Sequence, residues 1–153
     1  MADPLMPDSS SSTLATIRRL LLALLVFGMA GTTAELWLMG HYEDWKQLIP
    51  FGVMALSTLT GFWHGSARTT SSASMFRLSM LLLMVAGATG SVLHYRANME
   101  FQLEMDPTMG GMALLLKVLH AKAPPALAPG NMALLGLLGL VSTLGISRTF
   151  HKE

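Results

Sequence analysis

Four long apolar runs occupy most of this 153-residue chain, and they constrain its fold more than any other feature. They cover residues 17–39, 49–67, 75–95 and 132–149. Each run is close to the ~20 residues that an α-helix needs to cross a ~30 Å hydrocarbon core. The chain is 52% hydrophobic and only 12% charged, which is hard to reconcile with one domain in water. The sequence therefore indicates a protein embedded in lipid.

The same runs decide between the two kinds of structure that can span a bilayer. Only helices and closed barrels satisfy every backbone N–H and C=O group without water. Barrel strands are ~10-residue segments of alternating polarity, whereas these runs are continuously apolar. The predicted fold is therefore all-α, a polytopic membrane four-helix bundle within residues 17–153. Residues 1–16 lack a periodic apolar face, and we expect them to form a disordered cytoplasmic tail.

A long segment, 96–131, separates the third and fourth predicted spans. Within it, the stretch GGMALLLKVLHAK places apolar residues on one helical face, and Lys117 and Lys122 can reach lipid headgroups. This pattern predicts a short helix that lies on the membrane surface. Pro129 and Gly130 then turn the chain into the fourth span.

Lysine and arginine residues near the span ends predict the orientation, because cytoplasmic flanks carry an excess of them. One side has Arg18, Arg19, Arg68, Arg77, Arg148 and Lys152, and the other has Lys46, Arg96, Lys117 and Lys122. We therefore expect both termini in the cytoplasm and the segment 96–131 outside.

The first apolar run also has an alternative interpretation as a cleavable signal sequence. Its core would be 20–30 and its cleavage region 31–34, which would make Glu35 the first residue of the mature protein. Against cleavage, Leu36, Trp37, Leu38 and Met39 extend the run to full spanning length.

Composition and motifs exclude several classes of chemistry. The chain has no cysteine, so disulfides, cysteine-ligated zinc and iron–sulfur clusters are impossible. It has no phosphate-binding glycine loop, no HExxH pair and no nucleophile elbow. The formal net charge is +1, without a basic stripe that would bind nucleic acid. We therefore expect a non-enzymatic protein that does not bind nucleic acid.

Two predicted spans share one pattern of small and ionisable residues, spaced i, i+3 and i+7. The pattern comprises Gly28, Gly31 and Glu35 in the first span, and Gly87, Gly90 and His94 in the third. This spacing places each triad on one helical face, and small residues let helices approach closely in lipid. The first and third spans run in the same direction, so Glu35 and His94 reach the same depth near the outer surface. If those helices are neighbours, the two side chains can form a hydrogen bond.

Two interpretations of Glu35 and His94 stay open at this point. A carboxyl group deep in a span is costly unless it is protonated or paired, so a histidine partner can be a purely structural remedy. Alternatively, the pair belongs to a proton relay or a metal site, since ionisable residues inside membranes mark such sites.

Further candidates for a divalent metal site lie beside this pair. The candidate ligands are Glu35, His41, His94, Glu100 and Glu104. Histidine and carboxylate ligands suit zinc, manganese or ferrous iron. Glu100 and Glu104 are spaced i, i+4 and lie side by side if that stretch is helical. Haem is a weaker option, because it needs two histidines at one level, which only His41 with His94, or His120 folding back, can supply.

Parts of the chain resemble a family of small four-span bacterial inner-membrane proteins whose activity is uncharacterised. The resemblance rests on HYEDWKQLIPFG, LHYRANMEFQLEMDP and LAPGNMALLGLLGL, covers about 110 residues, and is most distinctive over 93–104. It implies architecture and location and carries over no catalytic residue.

These observations lead to two expected functions. We expect an accessory or assembly protein that sits in the lipid bilayer and works with another membrane protein or complex. The alternative is a metal- or cofactor-binding protein, or one that handles protons or cations, using the outer Glu and His cluster.

Overall fold

The structure, a computed structural model, describes residues 9–121 and 127–144, and the regular elements in this part are all helical. The helices are α1 (Ser9–Leu38), α2 (Leu48–Ala67), α3 (Thr70–Met105), α4 (Gly111–Leu119) and α5 (Ala128–Ser142), with a short 3-10 helix (Trp45–Gln47) before α2. The all-α prediction is confirmed for these residues.

Helix α3 lies at the centre of the arrangement. It packs against both α2 and α5, and its contact with α5 is the most extensive among the described helices. Helix α1 packs against α5 and touches α2 less extensively, while α4 packs against α3. The core between them is apolar and consists of Leu25, Met29, Met54, Phe76, Met80, Leu83, Met132 and Leu135.

Glycines allow α3 and α5 to pack almost backbone to backbone. A Cβ atom on Gly87 would lie 2.5 Å from both the Ala133 nitrogen and the Pro129 oxygen, and one on Gly136 would lie 2.6 Å from the Met80 oxygen. No side chain fits in these gaps. The two helices therefore approach as closely as small residues permit.

The sequence left open which helices the glycine stripes contact; in the structure, Gly28 of α1 and Gly87 and Gly90 of α3 all lie against α5. A Cβ on Gly28 would meet the Leu135 side chain of α5, and one on Gly90 would meet Pro129 at 3.1 Å. Gly31 has nothing within 4 Å of a built Cβ. Small residues show that a helix approaches closely, but they do not show which helix does so.

Two arginines from other helices bind the C-terminal end of α5. Arg77 donates from Nε to the Thr143 hydroxyl and from Nη2 to the Thr143 carbonyl, both at 3.0 Å, and Arg18 donates to the Leu144 carbonyl at 2.7 Å. The last carbonyls of a helix lack partners within the helix and carry partial negative charge, so cations stabilise them. These contacts attach α5 to α1 and α3.

Three predicted boundaries are wrong. Helix α1 begins at Ser9, so 9–16 are helical rather than disordered, while 1–8 lie outside the described residues. Helix α3 continues to Met105 instead of ending at 95, so the predicted outer loop begins as helix. Helix α5 begins at Ala128 and ends at Ser142 rather than covering 132–149, and 145–149 lie outside the described part.

Length and composition make two of these helices able to cross a membrane, namely α1 from Ser12 to Leu38 and α3 from Thr70 to Met105. Helix α5 is apolar but shorter, with 15 residues or about 22 Å of helix. The protein thus has two clear candidates for membrane spans among its described helices, and four spans stay a prediction.

The close packing of α3 on α5 predicts that Gly87→Ala destabilises the protein by about 1–3 kcal/mol, because the added methyl group overlaps α5 backbone atoms. Thermal unfolding in detergent, followed by circular dichroism, measures the change. Gly31→Ala is the matched control, since it adds the same methyl group where no atom lies within 4 Å. Equal unfolding temperatures for the two variants would contradict this packing.

Candidate functional site

A small cavity opens at one end of the bundle, where α1 ends and α5 begins. Its volume is about 90 Å³, and its lining includes Glu35, His41 and His94. The rest of the lining is largely apolar and includes Leu36, Met39, Pro50, Ala86, Leu127 and Met132. The three ionisable side chains are each half-buried. The chain therefore collects one carboxyl group and two imidazoles around one space.

A glycine turn at the end of α1 places His41 in this cavity. Gly40 has a φ of +69°, a backbone conformation that glycine adopts without strain. The His41 nitrogen donates to the Leu36 carbonyl at 3.0 Å, and the Gly40 nitrogen donates to the Trp37 carbonyl at 3.1 Å. These two bonds form a Schellman motif, which folds the chain back over the helix end. His41 consequently lies beside the last turns of α1, where Glu35 is located.

Helix α3 supplies the second imidazole. The rings of His41 and His94 lie with their centroids 6.1 Å apart and their planes tilted by 30°. Gly90, one turn before His94, also lines the cavity and lies against Pro129 of α5. The close packing of α3 on α5 therefore positions this part of the cavity wall.

The start of α5 completes the enclosure and is attached to α1 by a side-chain hydrogen bond. The Asn131 amide donates to the Thr32 hydroxyl, one turn before Glu35. Leu127, Ala128 and Pro129 come directly before this bond and line the cavity. The sequence interpretation missed this contribution, and it placed a turn at Pro129 and Gly130, whereas both residues lie in the first turn of α5.

Three of the five predicted metal ligands come together, and two do not. Glu35, His41 and His94 share the cavity, whereas Glu100 and Glu104 are exposed on the extension of α3. At ~1.5 Å per residue, Glu100 lies about 9 Å and Glu104 about 15 Å beyond His94 along the helix axis. Within 9–121 and 127–144, no three His, Asp or Glu residues are grouped so that they could hold a metal ion.

The predicted hydrogen bond between Glu35 and His94 is not formed. In the described part of the chain, neither a hydrogen bond nor an ion pair joins the two side chains. They belong to helices that both pack against α5, and they face the same cavity from different sides. Glu35 and His94 therefore line the same cavity without forming a hydrogen bond to each other.

Burial and charge affect the protonation of His41, which lies in the loop after α1. Burial lowers the pKa of His41 below its usual 6.5, and the nearby His94 lowers it further, because a second positive imidazolium at this distance is repelled. The neutral form of His41 is therefore favoured. A neutral imidazole can accept a proton or bind a cation.

The volume of the cavity limits what can occupy it. About 90 Å³ is room for roughly three water molecules at ~30 Å³ each. Organic ligands occupy pockets of ~300–1,000 Å³, so a haem does not fit between these residues as they stand. Water, a proton or a small cation fits this space.

A second polar group, which sequence interpretation missed, is buried between α2 and α3. His64 is only 7% exposed; its Nδ1 lies 3.4 Å from the Ser72 hydroxyl, and its ring stacks on Phe76. The Thr60 and Ser79 hydroxyls are 2.7 Å apart. The signal was present in the spacing of Ser57, Thr60 and His64 at i, i+3 and i+7, which places these three polar residues on one helical face.

The proximity of His94 predicts that His94→Gln raises the pKa of His41 without restoring 6.5, because burial, the larger cause, stays. The natural protein should also lose stability as pH falls below 6.5, because His41 binds a proton more readily in the unfolded chain than in the folded one. Imidazole NMR shifts measured against pH test the first expectation. His120→Gln, which changes an imidazole outside the cavity, is the control, and an unchanged His41 pKa in His94→Gln would refute the coupling.

Comparisons of this chain with protein-family models, with curated proteins and with solved structures give no match. The resemblance to small four-span membrane proteins is therefore an expectation from the sequence, and the function must be argued from the residues.

Proposed function

We propose that this chain is a multi-pass protein of the bacterial inner membrane, with both termini in the cytoplasm, that acts as a non-enzymatic accessory or assembly protein. One observation carries the membrane part of the proposal: few residues in the most apolar parts of the two long helices are buried within the protein. Only 11% of the most apolar window of α1 and 28% of that of α3 are buried within it. A core helix of a soluble protein would be mostly buried.

Individual side chains make the same point. Phe27 is 78% exposed and Leu38 is 84% exposed, with Leu20, Leu24, Leu59 and Val85 also more than half exposed. Contiguous apolar surface of this kind is unfavourable in water and marks contact with a membrane or a partner. An accessory membrane protein requires both kinds of contact: lipid around most of its surface and another membrane protein against part of it.

The polar residues are arranged in the opposite way. Ser57, Thr60, Ser72 and Ser79 are buried between α2 and α3, and every buried side-chain N or O atom in the described part has a hydrogen-bond partner. In lipid, hydrogen bonds between helices contribute about 0.6–2 kcal/mol each. These hydroxyls therefore serve to hold helices together, which supports a structural role for the interior.

Helices α1 and α4 each provide a further observation that supports the proposed membrane location. Leu25 and Met29 of α1 are part of the core, which argues that α1 stays in the mature protein instead of being cleaved as a signal. In α4, Val118 is buried while Met112 and Leu116 are exposed. An exposed apolar face next to Lys117 suits a helix on the membrane surface.

A single-cysteine experiment tests the spanning of α3, because the natural chain has no cysteine. We expect Thr108→Cys to react with a membrane-impermeant maleimide in intact spheroplasts, and Thr70→Cys to react only after permeabilisation. Thr70 is the first residue of α3 and Thr108 follows its last residue by three, and both are exposed in the protein. Equal labelling of both in intact spheroplasts would place them on one side and refute the spanning of α3.

A second candidate function is the handling of protons or small cations at the outer cavity. The observation that favours it is the shared lining of that cavity by Glu35, His41 and His94, with two imidazoles whose centroids are 6.1 Å apart. Carboxyl and imidazole groups inside a membrane protein are the usual elements of proton relays. The cavity volume suits this cargo and excludes larger ones.

Reconstitution separates the two functions. If the protein is an accessory, liposomes that contain it should pass protons no faster than empty ones under a potassium diffusion potential, as measured with an enclosed pH-sensitive dye. Glu35→Gln should then alter thermal stability alone. A proton flux several times that of empty liposomes, lost in Glu35→Gln and kept in the exposed-loop control Glu43→Gln, would favour the cation-handling function instead.

A further inference from the structure

A groove separates α1 from α2 at the end of the bundle opposite to the outer cavity. Its volume is about 690 Å³, and its lining is mostly apolar. One wall is the α1 segment that includes Leu22, Val26 and Ala30, the other wall is the α2 segment that includes Gly61 and Gly65, and Phe76 of α3 is part of the lining between them. The groove exists because α1 and α2 make few contacts with each other while both pack well against other helices.

The length of the groove corresponds to one leaflet of a bilayer. Its lining on α2 extends from Ser57 to Ser66 and on α1 from Leu22 to Ala30. At ~1.5 Å per residue these segments are about 12–14 Å long, close to half of a ~30 Å hydrocarbon core. Gly61 and Gly65 on the α2 wall have no side chains, so an acyl chain can lie directly against this helix. A Cβ atom on Gly65 would point into open space.

Two arginines flank the end of the groove and have no partner for their charge. Arg19 lies on the groove-facing side of α1, three residues before Leu22, and Arg68 follows Gly65 by three residues at the end of α2. Both are exposed, and neither side chain forms a hydrogen bond or an ion pair within the described part of the chain. Arg18 and Arg77, by contrast, bind the carbonyls at the end of α5. Arg19 and Arg68 therefore leave two exposed positive charges at the end of the groove.

We propose that this groove binds one phospholipid with an anionic headgroup, with an acyl chain between α1 and α2 and the phosphate beside Arg19 and Arg68. The inference rests on the proposed membrane location, and the proposed orientation makes this the cytoplasmic leaflet. Charge complementarity selects the occupant: an arginine binds phosphate through several N–H donors, and an apolar chain fills the slot above it. A transmembrane partner helix would extend through both leaflets, whereas this groove ends near the middle.

Native mass spectrometry of the detergent-purified protein tests the proposal, with phosphatidylglycerol or phosphatidylcholine of identical acyl chains added. We expect one bound phosphatidylglycerol per chain and about fivefold less bound phosphatidylcholine. Gly65→Leu should lower phosphatidylglycerol binding about fivefold, because the new side chain fills the slot without meeting protein atoms. Gly52→Leu is the matched control on α2, since Gly52 also has open space around it but lies outside the groove.

A second pair of variants examines the headgroup separately from the slot. Arg19→Gln combined with Arg68→Gln should reduce phosphatidylglycerol binding to the phosphatidylcholine level, and Arg96→Gln, a control at the other end of α3, should leave it unchanged. Equal binding of the two lipids to the natural protein would overturn the proposal. So would a Gly65→Leu variant that binds lipid normally, or one that converts a dimer to a monomer, which would identify a second copy as the occupant.

Carbonate extraction of membranes that contain the protein distinguishes failure of the lipid site from failure of the proposed membrane location. Membranes washed with alkaline carbonate retain an integral protein and release a peripheral one. A protein that stays in the washed membrane but shows no lipid preference refutes only the lipid site. A protein that appears in the wash refutes the membrane location itself, and the lipid site with it.

Discussion

The close approach of α3 and α5 is the contact on which the other helix positions depend. It requires glycine at positions 87 and 136, where a methyl group would lie about 2.5 Å from backbone atoms of the opposite helix. With α5 fixed in this way, α1 can pack against its other side through Gly28, and the beginning of α5 closes the cavity that contains Glu35 and His94. At the far end, Arg77 attaches the same pair of helices by binding the last turn of α5. One helix pair thus organises both ends of the protein.

The helix interfaces contain polar side chains as well as the apolar core, and much of the exposed surface is apolar. Hydroxyl groups and His64 lie between helices, where they find partners, and many large apolar side chains face outward. Such an arrangement is stable when the surroundings cannot supply hydrogen bonds, because the helices then satisfy one another. The exposed apolar surface and the hydrogen-bonded buried hydroxyls both agree with the proposed membrane location.

Sequence patterns predicted the helices well, because the length and polarity of a run are local properties. They also brought Glu35, His41 and His94 to one place, since parallel helices of similar length put equivalent positions at one depth. They could not identify α5 as the helix that contacts both glycine stripes. Gly28 and Gly87 predict a close contact with another helix, but not which helix makes it. Nor could the sequence patterns separate Glu100 and Glu104 from the cavity, since this required knowing that α3 continues without a break beyond His94.

The unbroken length of α3 has a mechanical consequence. Its backbone hydrogen bonds run from Thr70 to Met105, about 54 Å, and the ten residues beyond position 95 project past the cavity as a stiff rod. A small change in the direction of α3 displaces its C-terminal end in proportion to the distance along the helix. The acidic residues near the tip would therefore move farther than the imidazole of His94, so that anything attached there would register changes in the helix packing below.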